Sequence, residues 1–426
     1  DWYFTAHPPI THDLHESLAL LYTYSGAAPQ NPNLDPILFT ELPFFSNFEL
    51  SQMTKWGMPG VYTHAFMDGW SPGYLGSVAY NHNGMMRMYE TQSGRESGPG
   101  AAAGSGAAGE AAGATAARGT GRGEGRGAGR AGRGESAAGS GEGRGEGRGE
   151  GRGDLGGEGR GATASTPPAA EAGSTPAGRG VTGPPTGRGG GQPREWYRGI
   201  PIPPGAANNF SRRNNTNYMQ TGVLSALQLT AAFPNLVVDN FYRKTRNSIE
   251  AGRTEAPYAF VIPVQRDMTR VAQLVNILRV QRIEVGQATS EIKVSDGTFP
   301  AASYVIKRDQ PYGRLAKNLL ERQSFPDPNL RTYDDSGWTM GLAMLTDVKE
   351  IKDKAILEVK TTAVKEAVAK GRVAGSGSAG LGVAHFGSNN MITFRYALAT
   401  VPMKIAEKSF TAEGVEFPAG SFVIAP

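Results

Sequence analysis

Residues 11–17 read THDLHES, and whether they form helix or strand decides which side chains can act together and what kind of layer they belong to. On a helix His12 and His15 would share a face. On a strand they point to opposite sides, and His15 shares its side with Asp13. The preceding AHPPIT, residues 6–11, carries consecutive prolines, which a helix interior does not accept. The stretch is therefore expected to be the end of a strand, with His15 as a candidate metal ligand. Two of the six histidines of the chain stand here beside two carboxylates, Asp13 and Glu16.

One imidazole does not hold a catalytic zinc, which takes three protein ligands and keeps a further position open. The familiar zinc spacings are missing. His15-Glu16 begins like H-E-x-x-H, but Ala19 stands at the fifth position, and no histidine is followed by Glu three residues later. Histidines hydrogen-bonded at a strand end are the plain alternative for this stretch.

Working outward, DWYFTAH (1–7) and ITHDLHES (10–17) read as short strands leading into loops. SLALLYTYSG (17–26) and PFFSNFELSQMTKWG (43–57) carry apolar residues at helical spacings. MPGVYTHAF (58–66) reads as a buried strand before the turn-rich DGWSPGYLG, and GMMRMYET (84–91) as another strand. Beyond it, residues 94–194 are low in complexity, with runs such as RGTGRGEGRGAGRAGRGES. Such a segment buries too little apolar surface to offset its ordering entropy and is expected to be a disordered insertion. An RNA-binding Arg-Gly tract is the other reading. Against it, residues 118–160 balance nine Arg with seven acids and hold no aromatic on which a base could stack.

After the insertion, NYMQTGVLSALQLTAAF (217–233) shows helical spacing with Asn217 as a possible cap. From about residue 254 the character changes. PYAFVIPV is a buried strand, MTRVAQLVNILRVQ an amphipathic helix and IEVGQA a further strand, together a βαβ unit. A repeat follows: DGTFPAASYVI (296–306) returns as EGVEFPAGSFVI (413–424), with Phe299, Pro300, Ser303 and Ile306 answered 118 positions later by Phe417, Pro418, Ser421 and Ile424. One supersecondary unit is thus expected twice in an accessory α/β domain, most simply as structural support.

Composition narrows the chemistry. The absence of cysteine excludes disulfides, thiolate metal sites and a cysteine nucleophile. A net charge of +4 over 426 residues, without long like-charged blocks, gives no reason to expect a nucleic-acid partner. No apolar run approaches the ~18 residues of a membrane span.

Four segments, HPPITHDLHESLALLYTYSG, WGMPGVYTHAFMDGWSPGYLG, AYNHNGMMRMYET and REWYRGIPIPP…NNTNYMQTG, together resemble the large bacterial branch of the zinc metallocarboxypeptidases, the carboxypeptidase A-like peptidases. The resemblance covers residues 1 to about 250 apart from the insertion. It implies a three-layer α/β/α sandwich with a mixed sheet, Zn2+ as cofactor, a peptide or protein substrate, and a secreted or periplasmic setting. His15 of Asp13-Leu14-His15 matches the third zinc ligand of that family, and Glu90, 75 positions later, matches the general base. The AYNHNG segment resembles the stretch before the base strand, and the helix from Tyr218 resembles the one that closes the catalytic domain. Glu16 departs from the family, standing where better-known members have a small polar residue. The family's substrate-covering Tyr lies on a loop matched by MDGWSPGYLG, where the spacing does not choose between Trp70 and Tyr74.

The remaining family ligands, an H-x-x-E pair, and the Arg for the substrate carboxylate would precede Asp1, so the chain is expected to be a C-terminal fragment, inactive alone. The expected order is residues 1–93 as catalytic half-domain, 94–194 as insertion, 195–253 as the rest of the catalytic domain and 254–426 as accessory domain. His64, His82 and His385 have no counterpart and are expected on the surface or in loops. Two other functions fit the same residues: a zinc-dependent amidase or deacylase of the same fold, and a binding module whose site has decayed.

Overall fold

In the computed structural model the described residues are 2–17, 21–63, 67–92, 199–200, 210–325 and 337–426. The insertion at 94–194 and His64 lie outside them. The first part runs α1 (Trp2–Ala6), β1 (Ile10–Ser17), β2 (Leu21–Thr23), β3 (Ala27–Gln30), α2 (Pro36–Lys55), β4 (Val61–Tyr62), β5 (Asp68–Gly69), α3 (Ser77–Asn81) and β6 (Met85–Gln92). Two long helices complete it, α4 (Arg212–Ala232) and α5 (Pro234–Thr254). A mixed sheet of order β1-β6-β2-β4 carries β1 at its edge. β1 runs parallel to β6, β2 antiparallel to β6, and β4 parallel to β2.

Local chemistry explains the main helix. Asp35 caps α2 by accepting from the Ile37 amide at 3.0 Å, and Pro36 sits at the first helical position, where no donor is needed. Leu38, Leu42, Phe45, Glu49 and Met53 recur at three- and four-residue steps and are buried. At the far end Gly57 takes φ +75°, and the amides of Gly57 and Met58 return to the carbonyls of Thr54 and Met53, closing the last turn. α4 approaches the sheet closely at Gly222, where an added Cβ would lie 2.9 Å from the Tyr89 ring.

Beneath the sheet lies a charged cluster with no access to solvent. Arg87 of β6 donates to Glu49 of α2 through Nε (2.9 Å) and Nη2 (2.7 Å), to Thr23 Oγ1 (2.9 Å) and to the Tyr24 carbonyl (2.7 Å). Tyr89 donates to the same carboxylate at 2.9 Å. Every charge is met, which is the condition for a buried ion pair to be tolerated.

The second part adds β7 (Ala259–Ile262), α6 (Met268–Val280), β8 (Gly286–Ala288), β9 (Ile292–Val294), β10 (Gly297–Phe299), β11 (Tyr304–Lys307), α7 (Gly313–Leu320), α8 (Met340–Ala343), β12 (Lys349–Ile351) and β13 (Thr361–Ala363). The last stretch holds β14 (Leu381–Val383), α9 (Asn390–Ala397), β15 (Met403–Ile405), β16 (Phe410–Ala412), β17 (Val415–Phe417) and β18 (Phe422–Ile424). A five-stranded sheet of order β12-β7-β11-β8-β13 and a three-stranded one of order β14-β18-β15 result. The expected βαβ unit is present with one change, because β7 and β8 each pair with β11, which lies between them. The described residues belong to one compact unit. Asn31 reaches Asn318 at 2.8 Å, Asn318 reaches Asn81 at 3.1 Å, and Asn83 donates to the Pro311 carbonyl at 2.8 Å, tying α7 to the first part. Among the described residues no single helix is long and apolar enough to cross a membrane.

The α/β class expected from the sequence holds, while several local readings change. Residues 2–6 are a helical turn rather than a strand, held by the Tyr3 and Phe4 rings against His82. SLALLYTYSG contributes strand β2, buried at all three positions; an apolar run reads alike for a buried helix and a central strand, and pairing with β6 and β4 decides it. The cap of α4 is Ser211, accepting from the Asn214 amide at 3.3 Å, six residues before Asn217.

His82 is buried, not a surface histidine. Its Nδ1 lies 2.7 Å from the Val78 carbonyl and its Nε2 3.0 Å from the Gln281 carbonyl, joining the C-terminal ends of α3 and α6. Burial pushes its pKa below the ordinary histidine value; the two carbonyls favour the cation but do not offset burial, and His7 opposes the charge. The folded state therefore binds fewer protons here than the unfolded chain. Its contribution is fully present above the unfolded pKa of about 6.5 and is lost as pH falls from there towards the folded value. A His82→Gln chain is expected to show a shallower drop in urea midpoint between pH 7 and 5 than the unaltered chain. Equal slopes would reject this assignment of the acid sensitivity.

Candidate functional site

The site forms because two distant strands lie side by side in a fixed register. The Met85 amide donates to the Pro9 carbonyl at 2.8 Å, just before β1 begins, and from there β1 and β6 pair residue for residue: Asp13 with Met88, Leu14 with Tyr89, His15 with Glu90. Glu90 in turn pairs with Tyr22 on β2, and Tyr22 with Tyr62 on β4. His15, Glu90, Tyr22 and Tyr62 thus form one row across the sheet. The Tyr22 and Tyr62 rings stack with centroids 5.4 Å apart.

His15 is the exposed member, at 45 %, whereas the Glu90 side chain is 6 % exposed. The closest approach of the two is His15 Nδ1 to Glu90 Oε1, 3.8 Å. The other ring nitrogen, Nε2, lies 3.1 Å from Asp13 Oδ1, as two strand residues one apart allow. Each ring nitrogen thus faces a carboxylate, Nε2 that of Asp13 and Nδ1 that of Glu90. His12 faces the opposite side. Its ring stacks on Tyr89 with centroids 5.8 Å apart, and burial lowers its pKa, with Glu49 pulling the other way. Burial and then the Glu90 charge push the Tyr62 phenol well above its usual range, so it stays neutral.

A cleft of about 690 Å³ opens beside His15, bounded by Leu14, Thr91 and, from α4, Asn215, Met219 and Gln220. Its volume falls within the range of small-ligand pockets, and no charged side chain bounds it. The expected pair His15 and Glu90 is brought together with Asp13. Trp70 is buried, its ring packing against Phe325 and Trp338. Tyr74 lies on the same loop, half-buried. His385 accepts from the Gly387 amide at 2.9 Å, a turn contact.

Tyr22 and Tyr62 escaped the reading of the sequence, although a signal existed. Leu21-Tyr22-Thr23 and Val61-Tyr62-Thr63 share an apolar–Tyr–Thr pattern, and both land in the sheet with the tyrosine in the row. As a metal site the donor set is partial. Among the described residues no group of three His, Cys, Asp or Glu could hold an ion. His15, with Asp13 on its remote nitrogen, fits a single ligand position, and Glu90 fits a base beside it. No protein-family model, no curated protein and no solved structure matches the chain.

Proposed function

We propose that this chain carries one zinc ligand, His15, and the general base, Glu90, of a peptidase that hydrolyses C-terminal peptide bonds. The observation that carries the reading is the pairing of these two side chains on adjacent parallel strands, 3.8 Å apart, although 75 positions separate them in sequence. His15 would offer Nδ1 to the ion, with Asp13 holding Nε2. A zinc ion bound there supplies Lewis acidity to the scissile carbonyl and to water. Glu90 would take the proton of the attacking water and return it to the leaving amine. Tyr62, kept neutral, would add no charge next to the base.

On this reading the sheet β1-β6-β2-β4 belongs to a three-layer α/β/α sandwich of the carboxypeptidase type, residues 254–426 are an accessory domain, and the protein works in a secreted or periplasmic setting. No H-x-x-E occurs in this sequence to match the family's other two ligands. The test is metal content. In a protein that also carries an H-x-x-E segment, His15→Ala is expected to lower zinc from one per chain to a small fraction, read by elemental analysis. Full occupancy in that variant rejects His15 as a ligand. Hydrolysis of N-acyl amino acids in place of peptides would move the assignment to an amidase with the same ligand and base.

A further inference from the structure

Residues 381–424 repeat the strand, helix, strand, hairpin, strand order of residues 259–307 down to single hydrogen bonds. In the first copy the Ala288 amide donates to the Ser303 carbonyl (2.9 Å), Ala302 to Ala288 (2.9 Å) and Ser303 to Pro300 (3.2 Å). In the second, 118 positions on, Ala406 donates to Ser421 (2.9 Å), Gly420 to Ala406 (2.7 Å) and Ser421 to Pro418 (3.1 Å). The inner strands agree as well, β7-β11-β8 against β14-β18-β15, each neighbour antiparallel.

What differs is the cover. Residues 349–363 strap the first copy. β12 lies antiparallel on the outer edge of β7, and β13 lies antiparallel on the outer edge of β8. Between them the 3-10 turn Lys354–Glu358 sets Ile356, fully buried, in one cluster with Val261, Val305 and Ala288, one residue from each strand. Among the described residues nothing pairs with the outer edges of β14 and β15. Strand register makes Leu381 the counterpart of Phe260, and the two are 40 % and 0 % exposed. Ile405, at the end of β15, is 64 % exposed. α9 buries none of its side chains, while α6 buries Val271, Ala272, Leu274, Val275 and Leu278. Open strand edges flanked by apolar side chains are templates for an added strand.

We propose that the second repeat is a receptor for a polypeptide strap of the same design as residues 349–363, which adds one antiparallel strand to β14 and one to β15. The first repeat shows what covers this arrangement of strands, so the occupant is defined by pattern: two short strands, a 3-10 turn between them and an apolar residue in the place of Ile356.

The probe is a synthetic peptide with the sequence of residues 345–366, added to the full chain and followed by amide hydrogen exchange. Expected is saturable slowing at 381–383 and 403–405, with 259–262 and 286–288 unchanged. Leu381→Asp, at a side chain already partly exposed, is expected to weaken the effect at least about ten-fold with the circular dichroism spectrum unchanged. If that variant does not fold, Ile405→Glu serves the same purpose. No slowing at millimolar peptide overturns the proposal. So does slowing confined to 259–262 and 286–288, which means exchange of the existing strap. Concentration-dependent dimers that protect β14 and β15 without peptide also overturn it, since a second copy is then the occupant.

Discussion

Replacing Glu90 by Gln in a zinc-loaded protein is expected, on the proposed reading, to lower peptide turnover by about 10²–10⁴-fold and to leave the zinc content at one per chain. Gln keeps the shape of the side chain and its place beside Tyr22 and Tyr62 but cannot accept a proton at neutral pH. The residue is well suited to such a test, because its side chain is 6 % exposed and fixed by the strand register, so the change alters proton transfer more than position. Turnover within about two-fold of the unaltered protein would reduce Glu90 to a structural carboxylate facing His15. The His15→Ala measurement then still decides the ligand by itself, since its readout is metal content.

Arg87→Met is expected to cost about 3–5 kcal/mol of stability in urea unfolding. The guanidinium and Glu49 are both wholly buried, and the substitution leaves an uncompensated carboxylate under the sheet. Thr23 and Tyr89 still donate to it, but two hydroxyls do not replace a cation. Adding Glu49→Leu to the same chain is expected to recover a substantial part of the loss, because removing both partners also removes the desolvated charge. A single variant that loses less than about 1 kcal/mol would show that Arg87 is held for some reason other than pairing with Glu49.

Much of this arrangement is legible in the amino-acid sequence. Consecutive prolines before Ile10 make β1 a strand, and strand periodicity puts His15 with Asp13 and away from His12. The repeat is visible as a constant offset and extends through a helix and two further strands with little sequence similarity, because backbone pairing preserves topology where side chains drift. Lateral neighbours are harder. Nothing within Leu21–Thr23 says that it lies between β6 and β4, so the Tyr22–Tyr62 half of the row escapes a linear reading, and its apolar run suggests a helix. His82 misleads for the same reason: its second partner is the Gln281 carbonyl, 199 positions away, and local polarity points to the surface. Two halves of the site can thus be matched by motif, whereas what stands beside them depends on strand order.

Two histidines of β1, three positions apart, belong to different chemical worlds: His12 to the salt cluster under the sheet, His15 to the side of Glu90. A slip of one residue against β6 would exchange them, setting Glu90 opposite Leu14 or Glu16 and turning the imidazole inward. The pairing is therefore digital, and the Pro9–Met85 link that starts the register acts as its zero mark. A shift of that link is expected to part His15 from Glu90 through miscounting, with both side chains still in place along the chain.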